Sequence, residues 1–282
     1  LHPAASRPEI RRRVIALKPT RSGHIMDVVC ETAAMLISRP TPMRLKCVFL
    51  DAGNTLIHAD PTVGHVYAQA LRQRGIAAED EEVGKQFKVA WRTIRRDHPG
   101  HTPPYGTTEN EARAWWKRVV RLSFQPFGIS EEIDEVFEQL WTHFASAEAW
   151  SLYPDVLPAL HKIRAGGLKL ALISNWDARL EPVIEGTGLK HLLDSTTISY
   201  EAGAEKPSPE IFRRALSRTG VSPAESLHVG DSYNEDIRGA FGVGMRACWL
   251  RRGAGFGRRQ GGAKVISSLS ELCDSRQSPP RF

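Results

Sequence analysis

A chain of 282 residues with 41% apolar side chains and seven Trp has material for one large core or two smaller ones. Its four cysteines, Cys30, Cys47, Cys248 and Cys273, lie far apart and form no CxxC pair, which argues against a disulfide frame or zinc site and for reduced thiols in a cytoplasmic protein. The formal charge of +6 sits at the ends: residues 1–42 carry seven Lys/Arg against three Asp/Glu and residues 250–282 seven against two, leaving 43–249 at −3, so no nucleic-acid partner is expected.

Residues 1–42 combine six Pro/Gly with the run Arg11-Arg12-Arg13 and no sustained period, the pattern of a poorly ordered basic leader. The most apolar stretch there, from Ile25 to Ile37, is broken by Asp27 and Glu31, so no membrane span is expected. The first element follows at once: Lys46-Cys47-Val48-Phe49-Leu50 reads as a short apolar strand that delivers Asp51 onto a Gly-containing turn, with the Thr55 hydroxyl just beyond. An Asp after an apolar run is often only a turn or cap residue. Three later stretches give this one its weight.

Between about 59 and 150 the period changes to that of helices. Val63, Val66, Tyr67, Ala70 and Leu71 fall on one helical stripe, as do Ile133, Val136, Phe137, Leu140, Trp141 and Phe144. Val83 to Ile94 and the Trp115-Trp116 segment are helical in tendency, separated by a Pro/Gly/Thr loop over 99–108. The aromatic residues on these stripes are expected to be core.

From Pro154 helix and strand alternate. A helix over 155–165 leads through Gly166-Gly167 into the apolar run 168–173, which ends at Ser174-Asn175. A helix over 178–186 and a short strand over 195–199 precede Lys206-Pro207, and Ser208 caps a helix that starts with Pro209. Leu227-His228-Val229 runs into Gly230-Asp231, and a last strand is expected over 245–250. Strands separated by helices at this spacing predict a doubly wound, Rossmann-like α/β sheet with an inserted helical bundle. Its strand ends would bring Asp51, Ser174, Asn175, Lys206, Asp231 and Asp236 to one edge. Two or three carboxylates with a Lys and a hydroxyl suit a hard divalent cation and a tetrahedral anion, and oxygen donors select Mg²⁺.

Hydrophobic-Asp51-x-Gly53-x-Thr55, Ser174-Asn175, Lys206-Pro207 and Gly230-Asp231-Ser-x-x-x-Asp236 resemble the four motifs of the haloacid dehalogenase (HAD)-like hydrolase superfamily, and the helical insert resembles its C1 cap. The stretches Ile173-Ser-Asn-Trp-Asp177-x-Arg-Leu180 and His228-Val-Gly-Asp231 are most similar to the group called haloacid dehalogenase-like hydrolase domain-containing protein three. The resemblance implies a core over 43–58 and 151–252, a cap over 59–150 and a basic tail over 253–282. It implies a phosphatase acting on a small phosphorylated metabolite, as monomer or homodimer. Asp51 would be the nucleophile and Lys206 its catalytic partner, with Thr55, Ser174 and Asn175 binding substrate. Asp51, the Gly53 carbonyl, Asp231 and Asp236 would serve the metal, Asp236 by ordering metal waters or Lys206.

One position departs from the phosphatase pattern. Phosphatases of the superfamily carry a second Asp two residues after the nucleophile as general acid and base, its dehalogenases Tyr and its phosphonate hydrolases Ala; here the residue is Gly53. General acid–base help is worth about 10²–10⁴ in rate. His58, Asp60 and His65 are the nearby candidates to replace it. Two alternatives stay open: metal-independent carbon–halogen hydrolysis through Asp51, or a phosphate-binding module without turnover. Trp176 is expected to cover the sheet edge and His228 to be a satisfied core histidine.

Overall fold

The computed structural model describes residues 44–96, 103, 105–129, 132–253 and 259–273; the expected leader, half of the 99–108 loop and residues 274–282 lie outside them. Seven strands form one sheet in the order β5-β4-β1-β6-β7-β9-β8. They are β1 (Cys47–Leu50), β4 (Lys169–Ser174), β5 (Ser195–Ile198), β6 (Ser226–Gly230), β7 (Arg246–Leu250), β8 (Arg259–Gln260) and β9 (Ala263–Ile266). All neighbours are parallel except β8 and β9. The chain winds from β1 toward β4 and β5 on one side and toward β6 and β7 on the other. The switch therefore falls at β1, where such sheets open a crevice beyond their carboxyl ends.

β1 is buried on both faces because its residues alternate between two cores. Val48 and Leu50 join Leu170, Leu172 and Leu227 under the helix α5 (Val156–Ala165). Cys47 and Phe49 join Ala171, Ile173 and Phe212 under α8 (Pro209–Thr219). Ser208 caps α8 as expected, accepting from the Glu210 amide, with Pro209 in the first turn.

The insert between β1 and β4 is bounded by an antiparallel ribbon of β2 (Ile57–Ala59) and β3 (Trp150–Leu152). These three-residue strands are too short to show a period. Between them lie α1 (Val63–Arg72), α2 (Asp80–Arg96), α3 (Glu109–Phe124) and α4 (Ile133–Ala145). Their expected stripes are buried together: Tyr67, Leu71, Val83, Phe124, Val136 and Phe137 form one cluster, and Ile94, Trp115 and Val119 another. α3 begins with a reciprocal capping box between Thr108 and Glu111.

Part of the expected basic tail is structured. β9 extends the sheet beside β7, pairing Cys248 with Lys264 and Leu250 with Ile266, and the turn Leu269–Cys273 packs against the core. Ala263, Val265 and Ile266 are buried; their apolar signal is hidden in the sequence by flanking Arg and Gly. Among the described residues no helix is long and apolar enough to cross a membrane.

Candidate active site

Asp51 follows β1 directly, and its amide donates to the Val229 carbonyl (3.0 Å), carrying the ladder with β6 one residue past the strand. Lys206 Nζ donates to Asp51 Oδ1 (2.6 Å) and Asp236 Oδ1 (2.7 Å), and Ser174 Oγ, at the end of β4, donates to Asp51 Oδ1 (3.3 Å). Residues separated by 155 positions in sequence thus meet in one buried site. Lys206 is 1% exposed, and a cation there requires anionic partners. Burial disfavours its charge, but Asp236 and Asp51 outweigh burial and hold its pKa above the usual lysine range. For Asp236 burial acts upward, yet Lys206 and His228 prevail and keep it an anion.

His228 is buried in β6, and its Nε2 lies 2.9 Å from Asp236 Oδ1. A carboxylate only accepts, so Nε2 carries the hydrogen. Nδ1 is left without a partner. This histidine is therefore not the satisfied core residue expected from sequence; it orients Asp236. The second oxygen of Asp236 accepts from the Ser232 amide (2.9 Å). Gly230 makes room for this carboxylate, since a Cβ there would lie 2.2 Å from Asp236 Cγ.

One oxygen from each of Asp51, Asp231 and Asp236 lies within 4.8 Å of the others. Asp236 is committed to Lys206, His228 and Ser232. Asp51 Oδ2 and the Asp231 carboxylate accept no hydrogen bond from another described residue, which makes them the available donors. Burial, and then the charges of Asp51 and Asp236, push the Asp231 pKa up to about 7. Three carboxylates facing one ammonium leave excess negative charge, and an oxygen-coordinated Mg²⁺ fits that set.

Two residues expected to bind substrate are placed as follows. Asn175 Oδ1 accepts from the Lys206 amide (2.7 Å) while its Nδ2 donates to the Lys206 carbonyl (3.0 Å) and to Glu235 Oε2 (3.1 Å). All its donor and acceptor groups are engaged, so it holds the Lys206 backbone. Thr55 is fully buried, its hydroxyl unpartnered, and its carbonyl accepts from Arg252 (2.7 Å). Nothing brings that hydroxyl to Asp51. Sequence reasoning also missed Arg95, whose guanidinium reaches Glu205 and Glu235 from the end of α2. A basic residue in a last helical turn reads as a complement to the helix dipole, so no signal marked it.

A cavity of about 990 Å³ lies between the insert and the sheet edge and reaches Gly53 and Asn54, on the turn that carries Asp51. Tyr67, Phe87, Trp91, Trp141, Trp150 and Trp176 are among its walls, so stripe aromatics expected to be only core also line it. Trp176 is not a mere cover for the sheet. A Cβ on Gly53 would lie 3.3 Å from Trp176 Cζ3, and the indole is set by an edge contact with Trp150 at 4.9 Å. Its amide donates to the Ser199 hydroxyl (3.0 Å), which Tyr105 of the insert also engages. Of the candidate replacement acids, only His58 lines the cavity. Its Nδ1 donates to the Ala59 carbonyl (3.2 Å). Asp60 accepts from Ser151 (2.9 Å) and His65 pairs with Asp80 (2.7 Å).

The family model described as haloacid dehalogenase-like hydrolase matches residues 45–244. A mouse protein named haloacid dehalogenase-like hydrolase domain-containing protein 3 is 36% identical over 207 residues, 73% of this chain and 81% of the mouse protein. A phosphoserine phosphatase of Thermus thermophilus is 32% identical over 230 residues, 74% of this chain and 90% of that enzyme. The crystal structure of a HAD phosphatase from Thermococcus onnurineus matches with a TM-score of 0.55 at 26% identity, covering 81% of this chain and 96% of that one. Family match, sheet order and strand-end residues agree: this chain belongs to the haloacid dehalogenase-like hydrolases.

Proposed function

We propose that this hydrolase is a Mg²⁺-dependent phosphatase that acts on a small phosphorylated molecule through Asp51. The carrying observation is the cluster itself: an Asp51 carboxylate with one oxygen pinned by Lys206, beside the carboxylate of Asp231. Phosphatase relatives support the same reading.

Lys206 and Ser174 fix Asp51 Oδ1, so Oδ2 is the atom that meets phosphorus in line with the leaving oxygen. The bond from phosphorus to that oxygen breaks, and its electron pair departs with the leaving group. Lys206 neutralises charge on the transferring group. Water then attacks the phosphorus of the aspartyl phosphate, releasing orthophosphate and restoring the Asp51 carboxylate. The Asp51 carboxylate, the Gly53 carbonyl and Asp231 would hold Mg²⁺, which when bound supplies positive charge to the phosphate oxygens. The helical insert acts as a cap that keeps bulk water from the cavity.

Carbon–halogen hydrolysis would also use Asp51 and Lys206, but it gives Asp231 no work. The test is phosphate release from aryl, acyl and alkyl phosphates with and without Mg²⁺, with Asp51→Asn as control. Metal-dependent release that vanishes in Asp51→Asn is the expected result. Full activity in Asp51→Asn, or halide release that survives chelation, overturns it.

A further inference from the structure

We infer that the substrate is an aryl phosphate, a phosphomonoester whose leaving group is a phenolate carried on an apolar ring system. This rests on the phosphatase reading above and narrows it with observations independent of the metal cluster.

The first is the missing proton donor. At the position two residues past Asp51, Gly53 offers no side chain, and the space a side chain would enter is bounded by the Trp176 ring at 3.3 Å from a built Cβ. An indole has no acidic group to give the departing oxygen. His58, on the same cavity, has its Nδ1 hydrogen on the Ala59 carbonyl. With no donor side chain at position 53, the leaving oxygen departs as an anion. A phenolate, whose conjugate acid has a pKa of about 10, leaves far more readily than an alkoxide, which is nearly as basic as hydroxide at about 16.

The second observation is what the cavity offers the rest of the molecule. Its inner wall is aromatic, and about 990 Å³ is the upper end of the range for small-molecule sites, enough for a fused ring. Offset and edge contacts of such a ring with Phe87, Trp91 or Trp176 follow from quadrupole geometry.

The third is where the charged lining residues sit. Arg179 lines the cavity and is 9% exposed, but Asp177 takes it in a two-point pair at 2.8 and 2.7 Å. Its guanidinium is also stacked 3.9 Å from the Trp141 centroid. Trp116 Nε1 completes Asp177 at 2.7 Å. The other cationic lining residues, Lys85, Lys88 and Arg92, are exposed. A ligand's carboxylate or ammonium would be met at the solvent-exposed Lys85, Lys88, Arg92 and Glu81, and the aromatic wall would receive its apolar part.

The reaction balances without a protein acid. Asp51 Oδ2 bonds to phosphorus as the bond from phosphorus to the aryl oxygen breaks, and the phenolate keeps the electron pair. Water then supplies the oxygen of orthophosphate, and its protons pass to phosphate and phenolate.

The test uses the full chain with Mg²⁺ and four compounds that separate ring from leaving group. Naphthyl phosphate has both features, benzyl phosphate has a ring but an alkoxide leaving group, acetyl phosphate has a good leaving group but no ring, and O-phosphoserine has neither. Naphthyl phosphate should give the highest kcat/KM, about 10²-fold or more above benzyl phosphate and O-phosphoserine, and about tenfold above acetyl phosphate. Benzyl phosphate should bind the Asp51→Asn protein nearly as tightly as naphthyl phosphate, read by tryptophan fluorescence. Phe87→Ala and Trp91→Ala, made separately because either can impair folding, should each cut the preference for naphthyl over acetyl phosphate about tenfold. If benzyl phosphate or O-phosphoserine is turned over as fast as naphthyl phosphate, the aryl inference is wrong while the phosphatase reading stands. Failure of all four compounds to release phosphate sinks both.

Discussion

The guanidinium of Arg95 grips the carboxylate of Glu205 at two points, 3.0 and 3.3 Å, and Glu205 is the residue before Lys206. The same guanidinium reaches Glu235 at 3.1 Å, next to Asp236. One side chain at the end of α2 thereby ties the helical insert to both segments that hold Lys206. Arg95→Ala should destabilise the protein by about 1–3 kcal/mol, because it leaves buried Glu205 without a cation. Denaturant unfolding checks this. A double cycle with Glu205→Ala should show the two changes coupled by about 0.5 kcal/mol or more, and strict additivity would mean the pair carries no energy.

Glu205 also gives a pH dependence. Burial raises its pKa, Arg95 opposes and Glu235 reinforces, with a net rise from 4.5 to about 7. The folded protein therefore binds the proton more tightly than the unfolded chain, so the contribution to stability is full below about pH 4.5 and is lost as pH rises through about 7. The span corresponds to at most about 3 kcal/mol. Unfolding free energies at pH 5 and pH 8 should differ less in Glu205→Gln than in the parent. An unchanged difference would remove Glu205 as the source.

Among the described residues Asn175 hydrogen-bonds the Lys206 backbone and Glu235, so its loss should move the lysine rather than weaken substrate. Asn175→Ala should lower kcat by about 10²-fold, the usual cost of roughly 1 Å of misplacement, with KM changed little. A rise in KM at constant kcat would return Asn175 to direct substrate binding.

Installing the missing acid is constrained by Trp176. Gly53→Asp should raise turnover of alkyl phosphates relative to aryl phosphates, within the roughly 10²–10⁴ that general acid catalysis provides. It should also cost about 1 kcal/mol, because the new Cβ presses on the indole at 3.3 Å. The gain should be larger in Gly53→Asp combined with Trp176→Phe. The ratio of the two kcat/KM values is the measurement, and equal changes for both leaving groups would refute the leaving-group argument.

The strand ends of the sheet were legible in the sequence because apolar runs that stop at Asp51, Ser174 and Asp231 leave little choice of topology. Roles that depend on a neighbour were not. Asn175 sits in a recognisable motif, yet only the fold reveals that it faces the Lys206 backbone. His228 reads as core in any apolar strand until Asp236, eight residues on, folds back through a π-helical turn over Tyr233–Arg238. Trp176 and Gly53 are remote in sequence and meet only when β1 and β4 pair. β2, β3 and β9 escaped because three or four residues carry no measurable period.

β9 has a consequence for how this protein coexists with copies of itself. It covers the flank of β7, and Asp155 fastens the chain that follows through Ser268 Oγ (2.7 Å) and the Leu269 amide (2.8 Å). A polypeptide stopped at Arg252 would bare that flank as a row of unpaired amides and carbonyls, a template onto which another molecule can add a strand. The short basic segment thus acts as a stopper against polymerisation, and its worth would show in the solubility of the shortened chain before it showed in turnover.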